Sequence, residues 1–275
     1  MPLAQCEYEP GSLLTHFGTE LRHHRTKAQL SLQRLAEKLG YTAQWINQVE
    51  LAKKPPSEKF AMDVDTFFGT DGRFHRIWND HKKEKRRRVL LPGFPAYLEA
   101  EAQATSIRSF SAQLVPGLLQ SENYARAISS AGRTPAALED WVAARMEEQA
   151  ILRREKPPKA LFILDESTLH RPVGGPEVMS EQLDMLARFV DAQHIQVRIL
   201  SFASVTYAGL DGSFTVLHLK DGGELLYQEG PGFGQLIDDA GLVDDSGVRF
   251  DLLMGEALPA NESREMILRA LEDFR

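Results

Sequence analysis

Thiols are almost missing from this chain: one of its 275 residues is cysteine, Cys6. A single cysteine excludes an intramolecular disulfide framework and a Cys-rich zinc module, and nothing asks for an oxidising compartment. Long apolar runs are missing too, since none approaches the roughly 18 residues of a membrane span. Met1 to Tyr8 lack the basic-then-apolar order of an export signal, so the expectation is a cytoplasmic protein with no membrane contact. Familiar catalytic signatures are absent as well: there is no GxxxxGK[ST] phosphate loop, no HExxH pair and no GxSxG elbow. The eight histidines are scattered; only His23 and His24 are adjacent, and they point to different faces of a helix, which argues against a metal site. Gly230, Gly232 and Gly234 spell GxGxG, yet Gly234-Gln235-Leu236 does not continue the dinucleotide fingerprint and Pro231 stiffens the turn, so a surface loop is expected. Asp165 and Glu166 close a strand pattern, but two acids without a third group read as a helix cap or a solvated loop. The chain is therefore expected not to be an enzyme and to use no cofactor and no metal.

What is present is the balance of a folded globular protein, with 43% hydrophobic and 26% charged residues. Charge divides it. Met1 to Leu90 hold 16 Lys and Arg against 11 Asp and Glu, a formal +5, and the remainder holds 16 against 28, a formal −12. A basic module facing one partner and an acidic one facing another are implied. Lys82, Lys83, Lys85, Arg86, Arg87 and Arg88 crowd the junction, and Pro92, Gly93 and Pro95 punctuate it. We divide the chain into residues 10–82, a basic linker at 83–94, and residues 95–275.

In the first part, Leu13, Leu14, Phe17 and Leu21 recur at helical spacing and predict a helix from Leu13 to Lys27. Ser31 is a good N-cap for a second helix through Leu39, with Leu32, Leu35 and Leu39 as its buried stripe. Gly40 stands where that helix must stop at a positive backbone angle, and Thr42 can cap the next, Ala43 to Glu50. Small Ala36 lets the two helices approach, while Ile46 and Val49 face inward. That leaves Thr42, Ala43, Gln44, Asn47 and Gln48 facing outward, small and amide groups of the kind that enter a major groove and bond base edges. Trp45 has two readings, packing against thymine methyls or sugars and bracing the first helix. Lys53 and Lys54 follow, placed to neutralise backbone phosphates, with a solubilising loop as the alternative. A helix capped by Ser57, with Phe60, Met62, Val64 and Phe67 in a small core, and a fifth helix after Gly72 with Phe74, Ile77 and Trp78 complete an all-helical domain.

Leu32 to Glu50, LQRLAEKLGYTAQWINQVE, resembles the Xre-type helix-turn-helix of bacterial and phage repressors. Gln33 matches the position where that family often places a phosphate-contacting glutamine. The resemblance implies Thr42, Ala43, Gln44, Asn47 and Gln48 as DNA contacts on a recognition helix. Bulky Trp45 on that helix, and Leu51, Ala52, Lys53 and Lys54 after it, depart from the commonest pattern and leave the base preference open.

The larger second part alternates helical and strand-like stretches and predicts an α+β or mixed α/β fold. Strands are expected at Ala160–Leu164, Ile195–Leu200, Phe214–Leu219 and Glu224–Tyr227, and helices at Pro135–Arg154, Glu181–Val190, Val248–Leu253 and Glu262–Phe274. Val115-Pro116-Gly117-Leu118-Leu119 reads as a turn. Val115, Pro116, Leu118 and Leu119 are candidate docking residues for a partner, against the alternative that Leu118 and Leu119 fold back into the local core.

Tyr97 to Ile128 resembles the domain that follows an Xre-type motif in a large group of actinomycete regulators, WhiJ-like proteins among them. The residues that carry it are Glu101 and Ala102, the VPGLLQ turn Val115 to Gln120, and the YAR start at Tyr124 to Arg126. It implies a transcriptional regulator, a repressor of developmental or secondary-metabolism genes, also described as antitoxin-like. Its C-terminal domain would engage a small partner protein often encoded beside it. A protein acting mainly by binding that neighbour is the other reading, and a ligand-sensing regulator a third, which requires a pocket in the α/β domain. One recognition helix reads only a few base pairs, so a homodimer on a palindromic double-stranded operator, with half-sites about 34 Å apart, is expected from geometry. Such a protein would be found at the nucleoid.

Overall fold

A computed structural model of the chain describes residues 12–89, 91–130, 133–190 and 193–275, with no side-chain description over 85–89. Cys6 and the side chains of Lys85, Arg86, Arg87 and Arg88 lie outside the described residues. Two compact units are present, Met1–Arg88 and Val89–Arg275.

The first unit is all helical, with α1 (Leu13–Lys27), α2 (Leu32–Leu39), α3 (Ala43–Glu50), α4 (Glu58–Phe68) and α5, which runs from Arg73 to Val89 and so carries helix into the stretch read as a linker. Ser12, Ser31, Thr42 and Ser57 cap the first four, each hydroxyl accepting from the backbone N–H three residues on. Gly40 (φ +75°) and Gly69 (φ +63°) end α2 and α4 in the left-handed region that glycine enters freely. At the start of α5 the buried Asp65 carboxylate accepts from the backbone N–H groups of Phe74 and His75 at 2.9 and 2.8 Å, supplying the cap from another helix. The core gathers Phe17, Leu21, Leu35, Ile46, Phe60 and Phe74. Met62 and Phe67, expected in this core, are exposed. Met62 lies two residues from Phe60 and therefore on the opposite side of α4, while Phe67, at the helix end, packs edge-on to Phe68.

The second unit opens with α6 (Phe94–Glu101) and β1 (Ala104–Ser111), followed by α7 (Glu122–Ser129), α8 (Pro135–Glu148) and β2 (Lys159–Asp165). There follow a single turn α9 (Ser167–His170), α10 (Pro176–Phe189), β3 (Ile195–Leu200), β4 (Phe214–Leu219), β5 (Glu224–Gly230), β6 (Phe233–Ile237), α11 (Ala240–Glu256) and α12 (Ala260–Glu272). Six strands make one mixed sheet in the order β3-β2-β1-β4-β5-β6. The pairs β1·β2 and β2·β3 are parallel and the rest antiparallel, with Ile107 opposite both Ala160 and Leu217. Ile107, Phe162 and Val197 join Leu183 of α10 and Ile267 of α12 in one core. Phe110, Ile163 and Leu200 join Phe250 and Leu253 of α11 in another. Neighbours in β2 thus go to different cores, which explains its continuous apolar run.

Two strands lie outside the sequence expectation. β1 is rich in hydroxyls rather than β-branched aliphatics, and its buried Ser109 pairs with Thr215 of β4 at 2.9 Å. β6 returns from β5 through Pro231 and Gly232 (φ +87°), so the GxGxG stretch is a hairpin turn. α8 stops at Glu148 and a 3-10 turn, Gln149–Arg153, finishes the stretch expected as one helix. Among the described residues no helix is long and apolar enough to cross a membrane.

Candidate nucleic-acid interface

The corner between α2 and α3 is closed by main-chain bonds. Gly40 and Tyr41 both donate to the Ala36 carbonyl, at 2.9 and 3.0 Å, and the Thr42 hydroxyl accepts from the Trp45 N–H at 3.2 Å. Ile46 and Val49 are buried, which fixes the roll of α3 and decides which side chains look outward. Two further features hold α3 from behind, and the sequence reading singled out neither. A Cβ at Gly18 would stand 2.6 Å from the Glu50 carbonyl oxygen and 2.7 Å from that of Val49, so α1 and α3 meet backbone to backbone there. The Glu50 side chain is fully buried at the end of α3, where Arg25 grips it through two bonds of 2.6 and 2.9 Å and Arg22 approaches to 3.6 Å.

On the outer side Gln33, Thr42 and Gln44 are exposed, and Ala43, Trp45, Asn47 and Gln48 are half-buried. No side-chain amide of Gln33, Gln44, Asn47 or Gln48 hydrogen-bonds to another described residue. Four planar donor–acceptor groups are thus uncommitted on α2 and α3, the requirement for bonding base edges or phosphates. After α3 the chain passes through Ala52, in the left-handed region at φ +53°, and turns back so that Lys53 and Lys54 both donate backbone N–H groups to the Gln48 carbonyl, at 2.8 and 3.2 Å. Both lysine side chains are exposed beside the end of α3. Trp45 stacks on Tyr41 (centroids 5.1 Å apart) and meets Phe60 edge-on at 4.7 Å, so its ring partners are on the α2–α3 turn and α4 rather than on α1.

In the second unit the VPGLL turn is folded inward. Val115, Leu118 and Leu119 are buried in the core and Pro116 is half-buried, because Tyr124, Ile151 and Leu152 close over them. These four side chains offer a partner little surface. Asp165 holds a turn, accepting from the Ser167 N–H at 2.9 Å and the Tyr207 hydroxyl at 2.8 Å, and burial together with that carboxylate pushes the phenol up to about 12. Glu166 likewise accepts from the Phe202 N–H at 2.7 Å.

The buried cation of this unit, Arg145, was not singled out in the sequence, though its neighbour Glu101 was. Arg145 lies over the rings of Phe94 and Trp141, at 4.9 and 5.0 Å, and donates to Glu148 at 2.6 Å. Glu101, buried beside Glu148, accepts from the Tyr97 hydroxyl. Burial, then the charge of Glu148, raises the Glu101 carboxyl well above its ordinary range, and burial raises Glu148 too, against the lowering charge of Arg145. A carboxyl whose pKa rises on folding takes up a proton, and the stability it contributes is present at acid pH and lost as pH climbs from the ordinary carboxylate range through the raised value. Glutamine at position 101 can keep both the acceptor for Tyr97 and a donor for Glu148. The thermal midpoint of Glu101→Gln minus that of the parent is expected to grow as the pH rises above the ordinary carboxylate range, as read by a melting series. A difference independent of pH would mean that Glu101 is ionised in the folded chain.

Compared with known families, residues 16–74 match the model of a helix-turn-helix domain, and residues 94–269 match that of a domain of unknown function, DUF5753. No curated protein and no solved structure matches the chain.

Proposed function

Since the chain belongs to the DUF5753 family and joins that domain to a helix-turn-helix domain, we propose that it is a sequence-specific transcriptional repressor of the Xre type. Its α3 enters the major groove of a double-stranded operator. The observation that carries this reading is the row of uncommitted amides on a helix locked from behind. Gln44 and Asn47 read base edges, Gln48, Thr42 and Ala43 line the groove, Gln33 holds a phosphate at the start of α2, and Lys53 and Lys54 neutralise phosphates beyond α3. Trp45 contributes the free part of its ring to sugars while one face stays stacked on Tyr41. Residues 10–82 are the DNA-binding part and residues 95–275 the part that takes a small neighbour-encoded protein, as the WhiJ-like resemblance of Tyr97–Ile128 implies. A homodimer on a palindrome supplies the second half-site.

The test starts from duplexes selected by the full-length chain from a random pool. Gln44→Ala and Asn47→Ala are each expected to cost about 1–3 kcal/mol on the selected site and to relax the preferred base at one position. Lys53→Ala should weaken selected and unrelated DNA alike and lower the salt slope by about 1. Unchanged affinity in all three variants would remove α3 from the interface. Loss of a co-purifying neighbour-encoded protein when residues 95–275 are deleted would support the partner assignment, and its retention would refute it.

A further inference from the structure

We propose that the cavity of the DUF5753 unit, about 730 Å³ in volume, binds a small, singly charged organic acid with an apolar body. The volume falls among those of sites that enclose small molecules. Leu91, Leu114, Pro116, Ile128 and Pro231 line it with apolar groups that are not fully buried, against which an apolar body packs. The polar groups on the lining decide the charge of the occupant. Most are already matched: Ser109 with Thr215, Glu148 with Arg145, and Glu229 with the Tyr227 hydroxyl at 3.0 Å.

Of the remaining groups, Arg133 and Gln120 bear on the occupant; Arg145 Nε, on the same lining, is also buried without a hydrogen-bond partner. Arg133 lines the cavity with its guanidinium over the Trp141 ring, 5.3 Å from the centroid, and its one internal bond is a long one, 3.3 Å, to the Ser129 carbonyl. No carboxylate among the described residues pairs with it, whereas Arg126, Arg145, Arg188 and Arg249 each have one. Gln120 also lines the cavity; its amide nitrogen donates to the Val115 carbonyl at 2.6 Å, but its oxygen Oε1, in a residue only 3% exposed, has no hydrogen-bond partner. An unpaired cation calls for an anion, and a buried acceptor without a donor calls for a hydroxyl or N–H on the same molecule. A cationic ligand would meet Arg133 and find the place against Phe94 and Trp141 already taken by Arg145. Multiply charged anions would face Glu148 and Glu229 on the same lining with one free guanidinium to offset them. A single carboxylate on an apolar body fits both constraints.

The probe is naphthoate, titrated calorimetrically into the full-length chain beside naphthamide and naphthylmethylammonium, which keep the rings and change only the charge. Naphthoate is expected to bind one site per chain, about tenfold or more tighter than the amide, with the ammonium compound weakest. Arg133→Gln should erase the advantage of naphthoate over the amide, and Arg133→Lys, which keeps the charge, should retain most of it. Naphthoate should also slow amide hydrogen exchange in peptides covering residues 114–120 and 133–145. Equal affinity for the three probes, an advantage that survives Arg133→Gln, protection elsewhere in the chain, or no binding of any probe would each overturn the proposal.

Discussion

Replacing Arg25 by methionine is expected to cost the N-terminal unit about 3 kcal/mol, because it leaves the Glu50 carboxylate buried with its principal partner gone. Both ends of this pair are sheltered, with side-chain exposures of 12% and 0%, so water replaces little of what is lost. Losses of about 3–5 kcal/mol are usual when a buried pair is broken on one side. The lower figure applies because Arg22, 3.6 Å away, still offers Glu50 a positive charge. Removing both charges is a different experiment: in Arg25→Met with Glu50→Met, most of the loss should be recovered, since a well-packed apolar pair often does as well as a buried ionic one. Hydrogen exchange in the full chain separates the cases. Amides of α1 and α3 should exchange about a hundredfold faster in the single variant, with DUF5753 amides unchanged. Parent-like exchange in Arg25→Met would show that Arg22 holds Glu50 unaided.

Arg145→Met is expected to be at least as costly to the second unit, about 3–5 kcal/mol near neutral pH. Methionine retains favourable contact with the rings of Phe94 and Trp141, so the substitution isolates the charge. Glu148 is then left beside Glu101 with no cation, and the least costly response is to take up a proton. The penalty should therefore shrink as the pH falls into the carboxylate range, which denaturant titrations at two pH values would reveal. A pH-independent loss would point to packing rather than charge. Arg145→Met also bears on Gly117, where a Cβ would stand 2.0 Å from Arg145 Nη1: Gly117→Ala should be poorly tolerated in the parent and better tolerated in the Arg145→Met background.

Local chemistry explains what could be read from the sequence. The helices of the first unit announce themselves because each of the first four carries its own cap and a single buried stripe, and the α2–α3 corner is short enough for Ala36, Gly40, Thr42 and Ile46 to specify it together. Arg25 and Glu50 gave no such sign; two charges on different helices look like solvated surface until the fold brings them together. Gly18 was equally silent, since a small residue on a helix reports a close approach only when the other backbone is known. In the second unit β1 escaped because its hydroxyl-rich alternation resembles a polar loop, while its burial comes from β2 and β4, both distant in sequence. Arg145 and Glu148 sit three residues apart on a helix whose apolar members, Trp141 and Val142, were legible, but a pair at that spacing looks like solvated surface until Phe94 and Glu101 of α6 bury it. The Val115–Leu119 turn was recognised as a turn; that its side chains face inward depends on Tyr124 and on the 3-10 turn after α8.

One missing atom sets how the reading surface can change. With Gly18 pressed on the carbonyls of Val49 and Glu50, any larger residue there would lever the tail of α3 outward and tilt the whole amide row at once. The side chains of Gln44, Asn47 and Gln48 make no hydrogen bond to a described residue that holds the helix, so each can be exchanged singly. On the proposed reading, retargeting to another sequence is a matter of swapping letters on a rigid stamp, while the handle of the stamp admits no revision.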